Sequence, residues 1–149
     1  MRDSRFRIFK YVPFRAFAIS WLFWSFTVHA QAPAAETAAR TFVTHLESVS
    51  PAEIYEEELG PTFKDAVKKA AFISNMGILK IQTGGASLAR QTLGGQAFSQ
   101  TPTGQTGEFY YVRFKTRFPT GMVFQDVYLE KVAASWKVSG YWMFPAPAN

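Results

Sequence analysis

The sequence predicts an α+β domain in which helices come first and pack on a curved, roughly four-stranded antiparallel sheet. Three observations predict it. Between residues 35 and 82 apolar side chains recur at three and four positions, the period of a helix with one covered face. From residue 108 the recurrence shortens to two, the period of a strand with one covered face. Pro119-Thr120-Gly121 and Ala133-Ala134-Ser135 then cut this second half into strand-length pieces joined by short turns, which is how antiparallel neighbours are connected.

Residues 1–30 precede that domain and read as a cleavable secretory signal. Arg2, Arg5, Arg7, Lys10 and Arg15 face one acid, Asp3, and Phe17 to Val28 then runs FAISWLFWSFTV without a charge, an n-region followed by an h-region. Val28-His29-Ala30 places small residues where a signal peptidase reads them, so Gln31 is the expected first mature residue. The uncharged run between Arg15 and His29 is thirteen residues long, short of the roughly 20 a bilayer-spanning helix needs. A membrane-held protein is expected only if the segment stays uncleaved. Phe6 separates Arg5 from Arg7, so the twin-arginine pattern is absent and export of an unfolded chain is expected. Localisation in the periplasm or outside the cell follows.

Removing the signal changes the electrostatics. The chain has 16 Lys and Arg against 11 Asp and Glu, and five of the cations and one acid lie before Ala30, leaving eleven against ten and a net charge of +1. Nucleic-acid binding needs clustered cations, and the mature part offers only Arg113, Lys115 and Arg117 at strand spacing, so a nucleic-acid partner is not expected. The cysteine count is 0, which excludes disulfides, thiolate catalysis and a lipidated N-terminal cysteine. Residues 31–149 suffice for one core and not for two.

Along the mature chain, Ala35, Ala38, Ala39, Phe42, Leu46 and Val49 mark the apolar stripe of a first helix. Ser50-Pro51-Ala52-Glu53 stops it with the pattern of a capping box and opens a short second helix to Leu59. Gly60-Pro61 breaks that one. Thr62 is the expected cap of a third helix running to Gln82, with Phe63, Val67, Ala70, Ala71, Ser74 and Ile78 on its stripe. Gly84-Gly85 lacks the neighbours of a phosphate loop and reads as the turn from helix to strand.

Ala86 to Leu93 is the expected first strand, ended by Gly94-Gly95, and the polar stretch to Thr106 is expected as a long loop around Phe98. Glu108 to Phe118 alternates, with Tyr110, Val112, Phe114 and Phe118 on one face and Phe109, Tyr111, Arg113, Lys115 and Arg117 on the other. Met122 to Val132 forms a strand whose Val123, Val127 and Leu129 share a face, and Trp136 to Phe144 is the last. Gly140 inside it predicts a bulge or a close backbone approach. The tail from Pro145 is expected to be extended and loose.

Gly107-Glu108-Phe109, Phe114-x-Thr116-x-Phe118 and Trp136-Lys137-Val138-x-Gly140-Tyr141, with Phe63-Lys64 and Gly85 to Arg90 upstream, give the chain a family resemblance over roughly Glu36 to Phe144. It resembles an exported bacterial family, domain of unknown function 4019. The resemblance implies export and a compact α+β fold of the cone-shaped kind found in nuclear transport factor 2-like and cystatin-like proteins. It implies no reaction. Ala133-Ala134-Ser135 departs from the family's usual acidic residue and glycine at the hairpin turn, and Tyr55 and Phe72 stand where tryptophans are typical.

Few residues could carry chemistry. His45 is the sole histidine after residue 29, and at the edge of the first stripe it reads as a boundary residue before it reads as a general base. Glu53, Glu56, Glu57 and Glu58 read as a solvated helical face near a helix start. Asp65 falls off its stripe toward water. No catalytic residue, metal ligand or cofactor is therefore assigned. The expected function is that of an exported, non-catalytic binding or interaction module. Its contact surface is the sheet face bearing Phe109, Tyr111, Arg113, Lys115 and Arg117, because exposed aromatics beside cations mark contact surfaces. A homodimer through that face, or an envelope protein partner, is expected. The alternative is a small enzyme or lipophilic-ligand carrier with a cavity between the third helix and the sheet, lined by Phe63, Asp65, Val67, Tyr110, Phe114, Trp136 and Tyr141.

Overall fold

The computed structural model describes residues 32–147; the predicted signal, residues 1–30, lies outside the described residues, as do the last two residues of the tail. Four helices, α1 (Ala32–Ser48), α2 (Pro51–Glu57), α3 (Pro61–Ala66) and α4 (Lys69–Thr83), precede four strands, β1 (Ala89–Gln100), β2 (Thr106–Phe118), β3 (Gly121–Val132) and β4 (Ser135–Pro145). The strands pair antiparallel in sequence order, β1-β2-β3-β4, and the sheet is not closed. The predicted α+β class is the observed one.

The helix α1 buries Ala35, Ala39, Phe42, Val43 and Leu46 and touches all four strands. Its alanines let the backbone approach the sheet, while Phe42 meets Tyr141 edge-on with ring centroids 5.4 Å apart. Burying each such aromatic contributes about 1.5–3 kcal/mol. Ser50 is the N-cap of α2, as the sequence suggests, but its side chain makes no capping bond, and Pro51 begins the helix.

The expected single helix from Thr62 to Gln82 is broken in two. Val67 and Lys68 take extended backbone angles, φ −131° and −73° with ψ 115° and 150°. The Tyr55 hydroxyl donates to the Val67 carbonyl at 3.0 Å, satisfying from outside an oxygen that a continuous helix would satisfy from within. The break resets the helical phase. The side chains buried from α4 are accordingly Phe72, Met76 and Thr83, and Ile78 of the predicted stripe is 43% exposed. Nor does Thr62 cap the third helix. Gly60 is the N-cap of α3, and the Glu130 carboxylate of β3 accepts from the Thr62 N–H at 2.9 Å and from its hydroxyl at 2.6 Å.

Gly84 ends α4 in the left-handed region at φ 74°, the conformation that closes helices and that glycine adopts without strain. The chain then enters β1, which corrects the expected first strand. It begins at Ala89, crosses Gly94-Gly95 with a register shift between Thr92 and Gly94, and continues to Gln100. In place of the long loop, residues 101–105 make a tight turn, closed by the Thr101 N–H to Gln105 carbonyl bond at 2.8 Å. Glycine weakens a strand chiefly by offering no side chain to pack, and β1 is an edge strand with little packing to lose.

A register shift between Tyr128 and Leu129 leaves Ser139 as the extra residue of β4, beside Gly140. A Cβ added at Gly140 would lie 2.5 Å from the Trp142 ring, so the glycine serves both a bulge and a close approach. Farther along, the outer edge of β4 is covered: the Gly60 N–H donates to the Val138 carbonyl and the Val138 N–H to the Glu58 carbonyl, both at 2.8 Å.

The core lies between the helices and one face of the sheet. Within it runs a polar chain. The Arg90 guanidinium bonds to the Glu47 carboxylate, which also accepts from the Ser87 N–H and hydroxyl, each at 3.1 Å. The Arg90 Nε lies 3.3 Å from both Thr116 Oγ1 and Gln125 Oε1. Thr116 donates to Gln125 at 2.5 Å, and Gln125 Nε2 donates to the Tyr141 hydroxyl at 2.8 Å. Each partner satisfies a buried polar group that would otherwise be costly.

Candidate functional site

On the sheet face away from the helices, strand alternation brings Tyr111, Arg113, Lys115 and Arg117 of β2 beside Phe124, Asp126 and Tyr128 of β3 and Trp142 and Phe144 of β4. The β2–β3 hairpin turns through two residues, Pro119 and Thr120, because Phe118 pairs with Gly121, and this register sets Arg113 directly opposite Asp126. The guanidinium forks onto the carboxylate: Nε donates to Oδ1 and Nη2 to Oδ2, both at 2.7 Å. Such paired bonds fix orientation as well as charge.

Aromatic rings surround this pair. The guanidinium carbon lies 5.9, 5.4 and 5.3 Å from the ring centroids of Tyr111, Phe124 and Phe144, within the range of cation–π attraction. Tyr128 bridges Tyr111 at 5.0 Å and Trp142 at 5.1 Å, and Phe124 meets Phe144 at 5.7 Å. Trp142 is 42% and Phe144 36% exposed. Asp126, by contrast, is buried.

Its hydrogen bonds to Asp126 hold the Arg113 guanidinium charged more firmly than usual. Burial pushes the Tyr111 phenol upward, with the Asp126 carboxylate adding to it, and the Tyr111 hydroxyl donates to Asp126 at 3.1 Å. Burial, then Asp126, raises Tyr128 as well. Both phenols stay neutral through the physiological range. The arrangement offers flat apolar rings around a paired guanidinium and carboxylate, with the Lys115 and Arg117 cations toward the hairpin end.

The predicted surface residues are found as follows. Tyr111, Arg113 and Lys115 are half-buried and Arg117 is exposed on the open face. Phe109 shares the face but is 4% exposed, because Phe98, its partner in β1, stacks on it with centroids 5.3 Å apart. Five contributors that the sequence reading did not name are Phe124, Asp126, Tyr128, Trp142 and Phe144. The signal for three of them was present: if Val123 and Val127 face the core, Phe124, Asp126 and Tyr128 face away.

Of the seven residues of the predicted cavity, Phe63, Tyr110, Phe114 and Tyr141 belong to the packed core and Val67 and Trp136 lie against it, while Asp65 is outside. Phe63 packs edge-on against Phe72 at 5.9 Å, Val67 is half-buried and Asp65 is exposed. Tyr110 meets Trp136 at 6.3 Å and donates to Glu36 at 3.3 Å. Phe114 lies fully buried beneath Arg40, and Tyr141 joins the polar chain of the core. A cleft of about 120 Å³ opens elsewhere, between α1, α4 and the ends of β2 and β3, against Val43, Leu46, Glu47, Leu79, Phe118 and Gln125. None of the seven lines it.

His45 Nδ1 lies 2.6 Å from Glu58 Oε1 and ties α1 to the segment after α2. Glu56 pairs with Lys69, whose hydrogen bond lowers its pKa. Among the described residues, no three His, Cys, Asp or Glu side chains converge as metal ligands would.

A family model described as "Protein of unknown function (DUF4019)" matches residues 38–141, more than half of the chain. The chain belongs to the DUF4019 family. The match to DUF4019 begins within α1 and ends within β4 at Tyr141, so it takes in β1 to β3 whole and stops short of Trp142 and Phe144. Comparisons with curated proteins and with solved structures gave no match for this DUF4019 chain.

Proposed function

We propose that the protein is an exported, non-catalytic interaction module whose open sheet face receives a protein partner in the cell envelope or outside the cell. The observation that carries this reading is the aromatic ring set around the Arg113–Asp126 pair. An apolar surface with a neutralised charge pair at its centre matches the composition of interface cores, which are rich in aromatic residues and arginine and poor in unpaired charge. Trp142 and Phe144 supply exposed ring area, and the ion pair supplies orientation. Among the described residues no helix covers this face.

Export rests on the charged n-region and the uncharged run of residues 17–28 in a cysteine-free chain. With a family likeness to cone-shaped folds, the module presents its helices on one side and its contact face on the other.

Two measurements test the reading. N-terminal sequencing of the protein recovered from outside the cytoplasm should begin at Gln31; a start at Met1 contradicts cleavage. Co-purification should then lose its specific partners when Trp142→Glu is introduced and keep them with Ile81→Glu, since Ile81 is 82% exposed on α4. Equal recovery by both variants contradicts a contact role for the sheet face.

A further inference from the structure

The two edges of the sheet are treated differently. The β4 edge is covered where residues 58–60 bond to Val138. The β1 edge has no strand or bridge on its outer side among the described residues. An unpaired edge is a template for another strand, and edges that must stay single carry lysine, proline, bulges or inward-pointing charge. Over its twelve residues, ARQTLGGQAFSQ, β1 has no proline, no lysine and one charge, Arg90, and that guanidinium is turned to Glu47 on the helix side. That inward charge and the bulge at Leu93 guard the first half of the strand alone. The second half, Gly94 to Phe98, pairs with β2 without interruption.

We infer that this second half of β1 pairs antiparallel with the β1 of a second copy, about a two-fold axis at Gln96, joining two sheets into one of eight strands. Self-pairing sets each residue near the axis opposite a residue of the same strand, so an outward charge there would meet its like across the junction. Here nothing charged is presented. With the axis at Gln96, Phe98 of one copy stands opposite Gly94 of the other. A Cβ at Gly94 would find nothing within 4 Å, so the site is open to a ring, and an aromatic side chain opposite an edge glycine is a favourable cross-strand pair. On the helix side, Gly95 and Ala97 present no bulk to the approaching strand. The inference goes beyond the contact role proposed for the open face and leaves that face free in both copies.

The chain's lack of cysteine makes the test clean. Residues paired across an antiparallel axis have Cα atoms about 4.5–5.5 Å apart, within disulfide reach. The two copies of residue 91 would be roughly 34 Å apart at strand rise. Mild oxidation of purified exported Gln96→Cys should therefore give a covalent dimer, and Gln91→Cys should not. Gln96→Lys, which sets like charges opposite each other, should weaken dimerisation roughly tenfold in sedimentation equilibrium. A wild-type monomer at millimolar concentration overturns the inference, as does equal cross-linking of the two cysteine variants. A dimer that survives Gln96→Lys but is lost with Tyr111→Glu would overturn the edge pairing while supporting the open face as a contact surface.

Discussion

Asp126 holds Arg113 through two parallel hydrogen bonds of 2.7 Å and accepts a third from Tyr111 at 3.1 Å, so one buried carboxylate organises the centre of the open sheet face. Asp126→Ala should destabilise the fold by about 1–3 kcal/mol, the cost of leaving partnered donors without an acceptor. The half-exposed guanidinium can recover some hydration, which keeps the loss in that range. Urea denaturation checks this, and a loss near zero would mean that the pair does not organise the face.

Deeper in the molecule, the Glu47 and Arg90 side chains retain 17% and 9% of their exposure. Glu47→Ala strands the guanidinium and also removes the acceptor for Ser87. The expected loss is about 3 kcal/mol or more. The double change Glu47→Leu with Arg90→Met should restore part of it, because replacing both partners by apolar groups leaves no uncompensated charge. Equal instability of the single and double variants would contradict this.

Tyr141 gives the stability a definite pH dependence. Burial pushes its phenol up from 10.0 to about 12. Below pH 10 the group is protonated in both folded and unfolded chains and contributes no slope. Between about pH 10 and 12 the unfolded chain releases the proton while the folded one keeps it, so stability falls as pH rises. The total is about 2–3 kcal/mol for a shift of this size. Tyr110, Tyr111 and Tyr128 are raised as well and add the same sign. Denaturation at pH 9 and 11 should show a shallower fall for Tyr141→Phe than for the wild type.

Ala133, at φ 53°, is the one described non-glycine residue in the left-handed region, at the two-residue turn between β3 and β4. Left-handed backbone costs a residue with a Cβ about 1–2 kcal/mol, part of which glycine loses again through its freer unfolded chain. Ala133→Gly should therefore stabilise the protein by about 0.5–1 kcal/mol in urea denaturation. Destabilisation would show that the β3–β4 turn is not strained.

Much of this was legible because local period and turn chemistry agree with the fold. Phe42 and Leu46 at helical spacing, and Val112 and Phe114 at strand spacing, lie in the core where their patterns put them. The failures occur where a distant partner decides. Glu130 caps α3 from across the fold, and Tyr55 takes up the carbonyl at which the third helix breaks. β1 continues through Gly94-Gly95 because β2 supplies hydrogen bonds that no local preference predicts. At the candidate site, the cations and tyrosine of β2 could be read from alternation alone. The same alternation in β3 turns Phe124, Asp126 and Tyr128 to that face, but setting Asp126 opposite Arg113 and bringing up the rings of β4 required the strand registers.

The central claim is that the open sheet face, and not the helical side, meets the partner. Site-specific photo-crosslinking in living cells tests it most directly, with a photoreactive phenylalanine analogue placed at Trp142 on the sheet face and, separately, at Ile81 on α4. The account predicts discrete adducts from position 142 and none from position 81; adducts from 81 alone, or the same adducts from both, would contradict it.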